Sequence, residues 1–313
     1  MGCRQSRPLD YDLTMNSTGT TRLSTGLPGL DSMLGGGLLR GSLTVVVGAT
    51  GIGKTQLGLA FANAGLQQDG QRGVLFDMAT RGDSQNHVDY ASRLFDWTLT
   101  EKPSETSELP EHVWDSAKAR FDYTHIFRQS GRRVTKSDLD PDDWKEWKVE
   151  MSRKLQQAIA FFYGNFAHGV RRCLVDGIEP TDRASDSWQL DLFEYIYHQV
   201  LRKDHDWVAR DLFRERFRQN AERVSQHAWD QADIGCLLMY TSHDVMLDDL
   251  LERPIESGDL LSNANTVILM GKTRHEDTMG RALHIAKHRG SACDDRIVPY
   301  TITSTGLQVE AGA

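Results

Sequence analysis

An α/β domain is predicted, with a mostly parallel central sheet flanked by helices and carrying helical insertions, and three features of the sequence predict it. Val45–Thr55 reads VVVGATGIGKT, a β-branched run that ends in GxxxxGKT and leads into a helical pattern over Gln56–Leu66. Further short apolar runs at Gly73–Met78, Cys173–Asp176, Ile234–Thr241 and Asn265–Met270 are separated by segments with helical spacing, the order of strand–helix–strand units. At 313 residues the chain is long for one core and short for two full ones, so one large domain with insertions is expected.

The glycine-rich turn of the first feature carries chemistry. Its glycines let backbone N–H groups turn inward as a nest for phosphates, Lys54 can reach the β and γ oxygens, and Thr55 offers a hydroxyl to Mg²⁺. Gly48, Ala49, Thr50, Gly51, Ile52, Gly53, Lys54, Thr55 and Gln56 are therefore the expected contacts of ATP, with Mg²⁺ beside it. The alternative, a turn that merely links strand and helix, has no need of the order strand, loop, Lys-Thr and helix.

Composition excludes several classes. A net charge of -8 argues against a surface built mainly to hold nucleic acid, although a local basic groove is compatible with it. No apolar run approaches the roughly 20 residues needed to cross a bilayer. Cys3, Cys173, Cys236 and Cys293 are far apart, with no CxxC pair and no His cluster at ligand spacing, so a reducing, cytoplasmic setting is expected and a structural zinc is not. The start, MGCRQS, matches a myristoylation pattern through Gly2 and Ser6, with Cys3 as a palmitoyl site, a short pattern often met by chance.

Residues 1–20 are polar and read as a flexible tail, and 21–313 as the single domain. Arg22–Thr55 joins a TGLPGLD segment and a GGGL turn to the phosphate loop through a short spacer. This stretch resembles the entry to a KaiC-type domain of the RecA superfamily, with Asp31 and Gly35–Gly37 in the places that lead the chain up to the nucleotide. His87–Trp97, helical in spacing, is similar to the family's helix after the second strand. Lys287–Val309, KHRGSACDDRIVPYTITSTGLQV, resembles the family's closing sequence, a Lys-x-Arg-Gly strand end followed by a Pro/aromatic-Thr-Ile-Thr strand. The resemblance covers residues 22–97, 173–177 and 260–309.

It implies a RecA-like core that assembles as a homohexameric ring with ATP between subunits. It also implies that Lys287 and Arg289 reach the γ-phosphate on a neighbouring subunit, neutralising charge in trans. Only one phosphate loop is found, so the resemblance is to a single domain. At the family's phosphorylation dyad stand Leu261 and Ser262, which leaves one hydroxyl.

Residues at three further strand ends bear on hydrolysis. The run CLVD ends at Asp176, where phosphate-loop enzymes place the carboxylate that holds Mg²⁺, and RRCLVDGIEP matches the family's strand; an acid that only caps a turn is the alternative. The family's second strand ends in two adjacent Glu residues that help activate water, and an ungapped alignment puts Ala79 and Thr80 there. Asp77, on the same strand face as Ala79, and Asp83 in the next loop are the nearest carboxylates, each a candidate base or a bystander. Thr241, Ser242 and His243 end another strand where the family places a sensor near the γ-phosphate.

Residues at about 101–165 and 183–230 read as insertions. A helix from Asp140 carries Trp144, Trp147, Met151, Leu155, Ala158 and Phe162 as an apolar stripe until Gly169, and the Trp pair reads as core or subunit contact rather than a ligand platform. Ser187–Lys203 and Asp206 to about His227 read as two helices, the second with arginines and acids mixed on its outer side. These helices are the candidate contact for a signalling partner.

The leading reading is a slowly hydrolysing ATPase ring acting as a nucleotide-dependent switch or scaffold in signalling. One competing reading is a DNA-repair accessory of the recombinase type, which the acidic charge and the lack of a clear basic loop disfavour. Another is a pseudo-ATPase that binds ATP only to control assembly, motivated by Ala79 and Thr80.

Overall fold

A computed structural model describes residues 22–80, 87–103, 110–128, 143–181, 186–253 and 260–310. The expected tail over 1–20, with its MGCRQS start, and Asp83 lie outside these residues. In chain order the elements are α1 (Pro28–Met33), β1 (Leu43–Gly48), α2 (Lys54–Gln68), β2 (Val74–Asp77), α3 (His87–Phe95), α4 (Ser116–Ala119), β3 (Tyr123–His125) and α5 (Asp143–Ala167). Then come β4 (Arg172–Ile178), α6 (Trp188–Ile196), α7 (His205–Phe213), α8 (Phe217–Gln226), β5 (Gly235–Thr241), α9 (Leu247–Glu252) and α10 (Leu260–Asn263). The chain closes with β6 (Thr266–His275), β7 (Thr278–His288), β8 (Val298–Thr303) and β9 (Gly306–Val309).

Among the described residues these strands form one sheet in the order β3-β2-β4-β5-β1-β6-β7-β8-β9. The first six in that order run parallel and the last three meander antiparallel. Strict alternation sorts the central strands into two cores. Val45, Val47, Phe76, Val175 and Leu238 face one side, while Val46, Leu75, Leu174, Met239 and Ile268 face the other.

The second face is covered by α1, α2 and α3, and the first by α5 to α9. Asp77 and Asp176, in step with Leu75 and Leu174, both fall on the α2 face at the strand ends and are register partners. That placement is what makes a site.

The predicted insertions are part of the main core. Phe161, Phe162 and Phe166 of α5 are fully buried, and the Phe162 ring lies 5.1 Å from that of Phe76 on β2. Trp147, partly buried, packs on Phe127 and Trp188 at ring separations of 6.5 and 6.4 Å, at the edge of this core. The helix expected over Asp206–His227 is two helices, because Arg214 takes φ +49 and ψ -118 and a helix cannot pass through that conformation. The strands expected at Asn265–Met270 and Ala282–Lys287 extend into one long hairpin, pairing Lys272 with Arg281 and His275 with Thr278.

Candidate nucleotide site

The turn between β1 and α2 has two glycines in the left-handed region, Gly51 at φ +77 and Gly53 at φ +111. A Cβ on Gly51 would meet nothing within 4 Å, so the crown of the loop opens outward. A Cβ on Gly53 would lie 2.9 Å from Ile302 Cδ1, so β8 packs directly against the loop. Tyr300 Oη, also from β8, donates to the Ile52 carbonyl at 2.7 Å and fixes the turn. The sheet's far end thus braces the loop that its middle strand launches.

Lys54 opens α2 and is only 7% exposed. Its Nζ donates to the Gly48 and Ala49 carbonyls at 2.8 and 2.9 Å. Burial lowers its pKa to about 8 against the opposing pull of Asp176, so the ammonium is short of anionic company. Thr55 Oγ1 donates to Asp176 Oδ2 at 2.8 Å, and His87 Nε2 lies 3.2 Å from the same oxygen. Burial pushes Asp176 up, but the His87 bond and charge, with Thr55 and Lys54, hold it below the ordinary carboxylate range. Burial likewise pulls His87 down, and the two carboxylates on either side raise it above its ordinary value.

In front of the loop is a cavity of about 630 Å³, within the range of small-molecule sites. Thr50, Gly51, Gly53, Lys54, Thr55, Gln56, Asp176, Thr241 and His243, all anticipated, line it. Tyr90, Glu179, Pro180, Arg281 and Ile302 also line it and were not anticipated. Arg281 lies in the first half of β7, the returning strand of the long hairpin, whose extent the apolar pattern did not reveal. Glu179 stands one residue past β4, where strand alternation gives no sign that it turns to the loop.

The groups fit a triphosphate and a hard cation. A turn with Gly51 and Gly53 in the left-handed region, an undercompensated Lys54 and the open face of Gly51 suit phosphate oxygens. Thr55 and Asp176 form an oxygen donor pair, and among the described residues no cluster of three His, Cys, Asp or Glu could cage a metal. Such a pair suits Mg²⁺, which keeps waters and phosphate oxygens as its other ligands.

Other anticipated residues stand elsewhere. Asp77 is 2% exposed and does not line the cavity; its Oδ1 accepts from Ala79 N at 2.8 Å and its Oδ2 from Tyr123 Oη at 2.9 Å. Both oxygens accept hydrogen bonds from within the protein, and of the two roles open to it, base or bystander, this placement favours the bystander. Lys287 Nζ donates to the Ser262 carbonyl at 2.7 Å, and Arg289 Nη2 to the same oxygen at 3.3 Å. Their neighbour His288 pairs with Thr266, whereas Met270 pairs with Gly48, so these cations lie at the end of the sheet opposite the loop and away from this chain's cavity.

A family model described as the KaiC ATPase matches residues 23–187, more than half of the chain. The chain belongs to the KaiC ATPase family. The circadian clock oscillator protein KaiC of Prochlorococcus marinus strain MIT 9313 is 42% identical over 299 residues, 95% of this chain and 46% of that protein. KaiC of Thermostichus vulcanus is 45% identical over 64 residues, 20% of this chain and 12% of the relative. Circadian clock protein KaiC2 of Synechocystis is 29% identical over 119 residues, 36% of this chain and 20% of the relative. The chain spans about half or less of the length of the KaiC relatives it matches. Among the described residues no helix is long and apolar enough to cross a membrane.

Proposed function

We propose that this KaiC-family chain binds Mg²⁺-ATP in the cavity before the loop, hydrolyses it slowly, and uses the nucleotide state to set assembly in a ring that serves as a switch or scaffold for a signalling partner. The observation that carries the reading is the Thr55–Asp176 hydrogen bond beneath the Gly51 and Gly53 turn, which joins the phosphate cradle to the metal-binding acid. Lys54 would hold the β and γ phosphates, and Thr55 with Asp176 would hold the ion, which would supply charge neutralisation at the phosphoryl group. Lys287 and Arg289 serve the site of an adjacent copy, a role their position at the far end of the sheet supports.

The test is ATP binding and phosphate release by the native chain, Lys54→Ala and Asp176→Asn, with light scattering in ATP and in a non-hydrolysable analogue. Lys54→Ala is expected to weaken ATP binding by about 10–100-fold, the worth of a charge-assisted hydrogen bond of roughly 1.5–3 kcal/mol. Equal affinity in the native chain and Lys54→Ala would end the reading. Ala79 and Thr80, with Asp77 engaged internally, favour a second reading in which ATP binds without turnover and only controls assembly. Native phosphate release at the Lys54→Ala background, with binding intact, selects that second reading.

A further inference from the structure

We infer that Glu179 supplies the carboxylate that takes the proton of the attacking water, and that Thr80 positions it. The inference rests on the ATPase reading above and deepens it. The requirement is general: a base must stand in the cavity beyond the γ-phosphate, and the end of β2 offers none, since Ala79 and Thr80 carry no acid and Asp77 is bonded to Ala79 N and Tyr123 Oη. Among the described residues, the carboxylates that line the cavity are Asp176 and Glu179. Asp176 is committed to Thr55 and His87. Glu179 is the acid that remains.

A backbone irregularity aims it. On β4, Val175 pairs with Leu238 and Ile178 with Tyr240, so three steps of β4 oppose two of β5, and the extra residue falls where Gly177 takes φ +88. This is a bulge with glycine in the left-handed region. Without it, alternation would put residue 178 on the face of Asp176 and residue 179 on the opposite face. With it, Ile178 joins the α5 to α9 core and Glu179 turns to the α2 face, where the phosphate loop lies. The acid is then held from both sides. The Thr80 hydroxyl donates to Glu179 Oε1, and the Glu179 backbone N–H donates to Gln189 Oε1 at 2.9 Å. The buried Thr80 hydroxyl sits at the position after Ala79, so β2 contributes a positioning residue and β4 the acid.

The step balances with solvent water and the nucleoside triphosphate alone. The water oxygen bonds to Pγ as the bond from Pγ to the β–γ bridging oxygen breaks, and that electron pair stays on the departing diphosphate. One water proton passes to a Glu179 oxygen and is returned to solvent or phosphate, leaving the carboxylate as it began.

The test measures phosphate release and ATP affinity in the full chain carrying Glu179→Gln, Thr80→Val, Thr80→Ser or Lys54→Ala. Glutamine keeps an oxygen to accept from Thr80, so the fold is expected to hold and ATP affinity to stay within about twofold, while kcat falls roughly 100-fold or more, the usual worth of a general base. Thr80→Val is expected to lower kcat with KM for ATP unchanged, and Thr80→Ser to restore it. A fold-level role alone would not give that split. Native turnover above the Lys54→Ala background that survives Glu179→Gln overturns the assignment and leaves the ATPase reading standing. Native turnover no higher than that background, with ATP bound, overturns both.

Discussion

Gly177→Ala gives the most direct measure of how tightly the ends of β2 and β4 are joined. A Cβ at this position would lie 2.3 Å from Ala79 N and 2.7 Å from Asp77 Oδ1, and the residue holds φ +88. The left-handed backbone costs an L residue about 1–2 kcal/mol. Separating two packed strand ends adds about 1–3 kcal/mol, the scale of overpacking. The sum is a loss of about 2–5 kcal/mol, a large part of the roughly 5–15 kcal/mol by which domains are stable. Gly70→Ala isolates the first contribution, because Gly70 has φ +74 and its Cβ would meet nothing within 4 Å. Both substitutions also stiffen the unfolded chain by a similar amount, which cancels in the comparison. Urea unfolding at constant m value gives the two losses. If Gly177→Ala is no less stable than Gly70→Ala, the strands are free to part, and the bulge does not fix the direction of Glu179.

Two further substitutions probe the frame around the site. Asp69 accepts from Arg172 Nε and Arg40 Nη2, each at 2.7 Å, and Arg172 is fully buried under the junction of α2 and β4. Asp69→Ala leaves that guanidinium without its anion and is expected to cost about 3–5 kcal/mol in a denaturation experiment, the scale for a broken buried pair; a loss under 1 kcal/mol would show that carbonyls alone carry Arg172. Burial and the nearby Arg22 guanidinium hold His288 below the ordinary histidine range. The unfolded chain therefore binds this proton more readily, and the stability tied to it is lost as pH falls through about 6.5 toward the lower folded value. His288→Gln is expected to flatten the fall of the urea midpoint between pH 7 and pH 5, and an unchanged slope would contradict that account.

Much of this was legible because alternation and the loop motif are local. Val45 to Gly48, Gly51, Gly53 and Lys54 could be placed from spacing alone, and Asp176 from its position at the end of a run of strand residues. What was illegible depends on partners distant in sequence. Asp77 looked available because it ends a strand near the loop; only the fold brings Tyr123, 46 residues later, to occupy it. Arg214 interrupts a pattern that reads as one helix, since arginine carries no sign of positive φ. Glu179 was hidden by the alternation rule itself. A one-residue bulge reverses which side of a strand is which, and a glycine after an acid reads equally well as an ordinary turn.

The long strand β7 joins two ends of the molecule in a way that bears on the proposed ring. Arg281, toward one end, lines this chain's cavity, while Lys287 and Arg289 stand at the other, roughly 20–27 Å along at about 3.4 Å per residue. One strand can then touch its own nucleotide and reach toward that of a neighbour, the head-to-tail arrangement that closes into a ring. The proposed division of labour makes a mixing experiment decisive. Lys54→Ala and Arg289→Ala chains should each be nearly inactive, the first for want of a cradle and the second for want of a trans cation. In an equal random mixture, an interface with an intact loop on one side and an intact Arg289 on the other forms about one time in four, so turnover should recover to about a quarter of native. Recovery must fail if Arg289 acts within its own chain, because every Arg289→Ala chain with a working loop would still lack its cation. A mixture no more active than the mean of its components would therefore refute the shared site, whatever the size of the assembly.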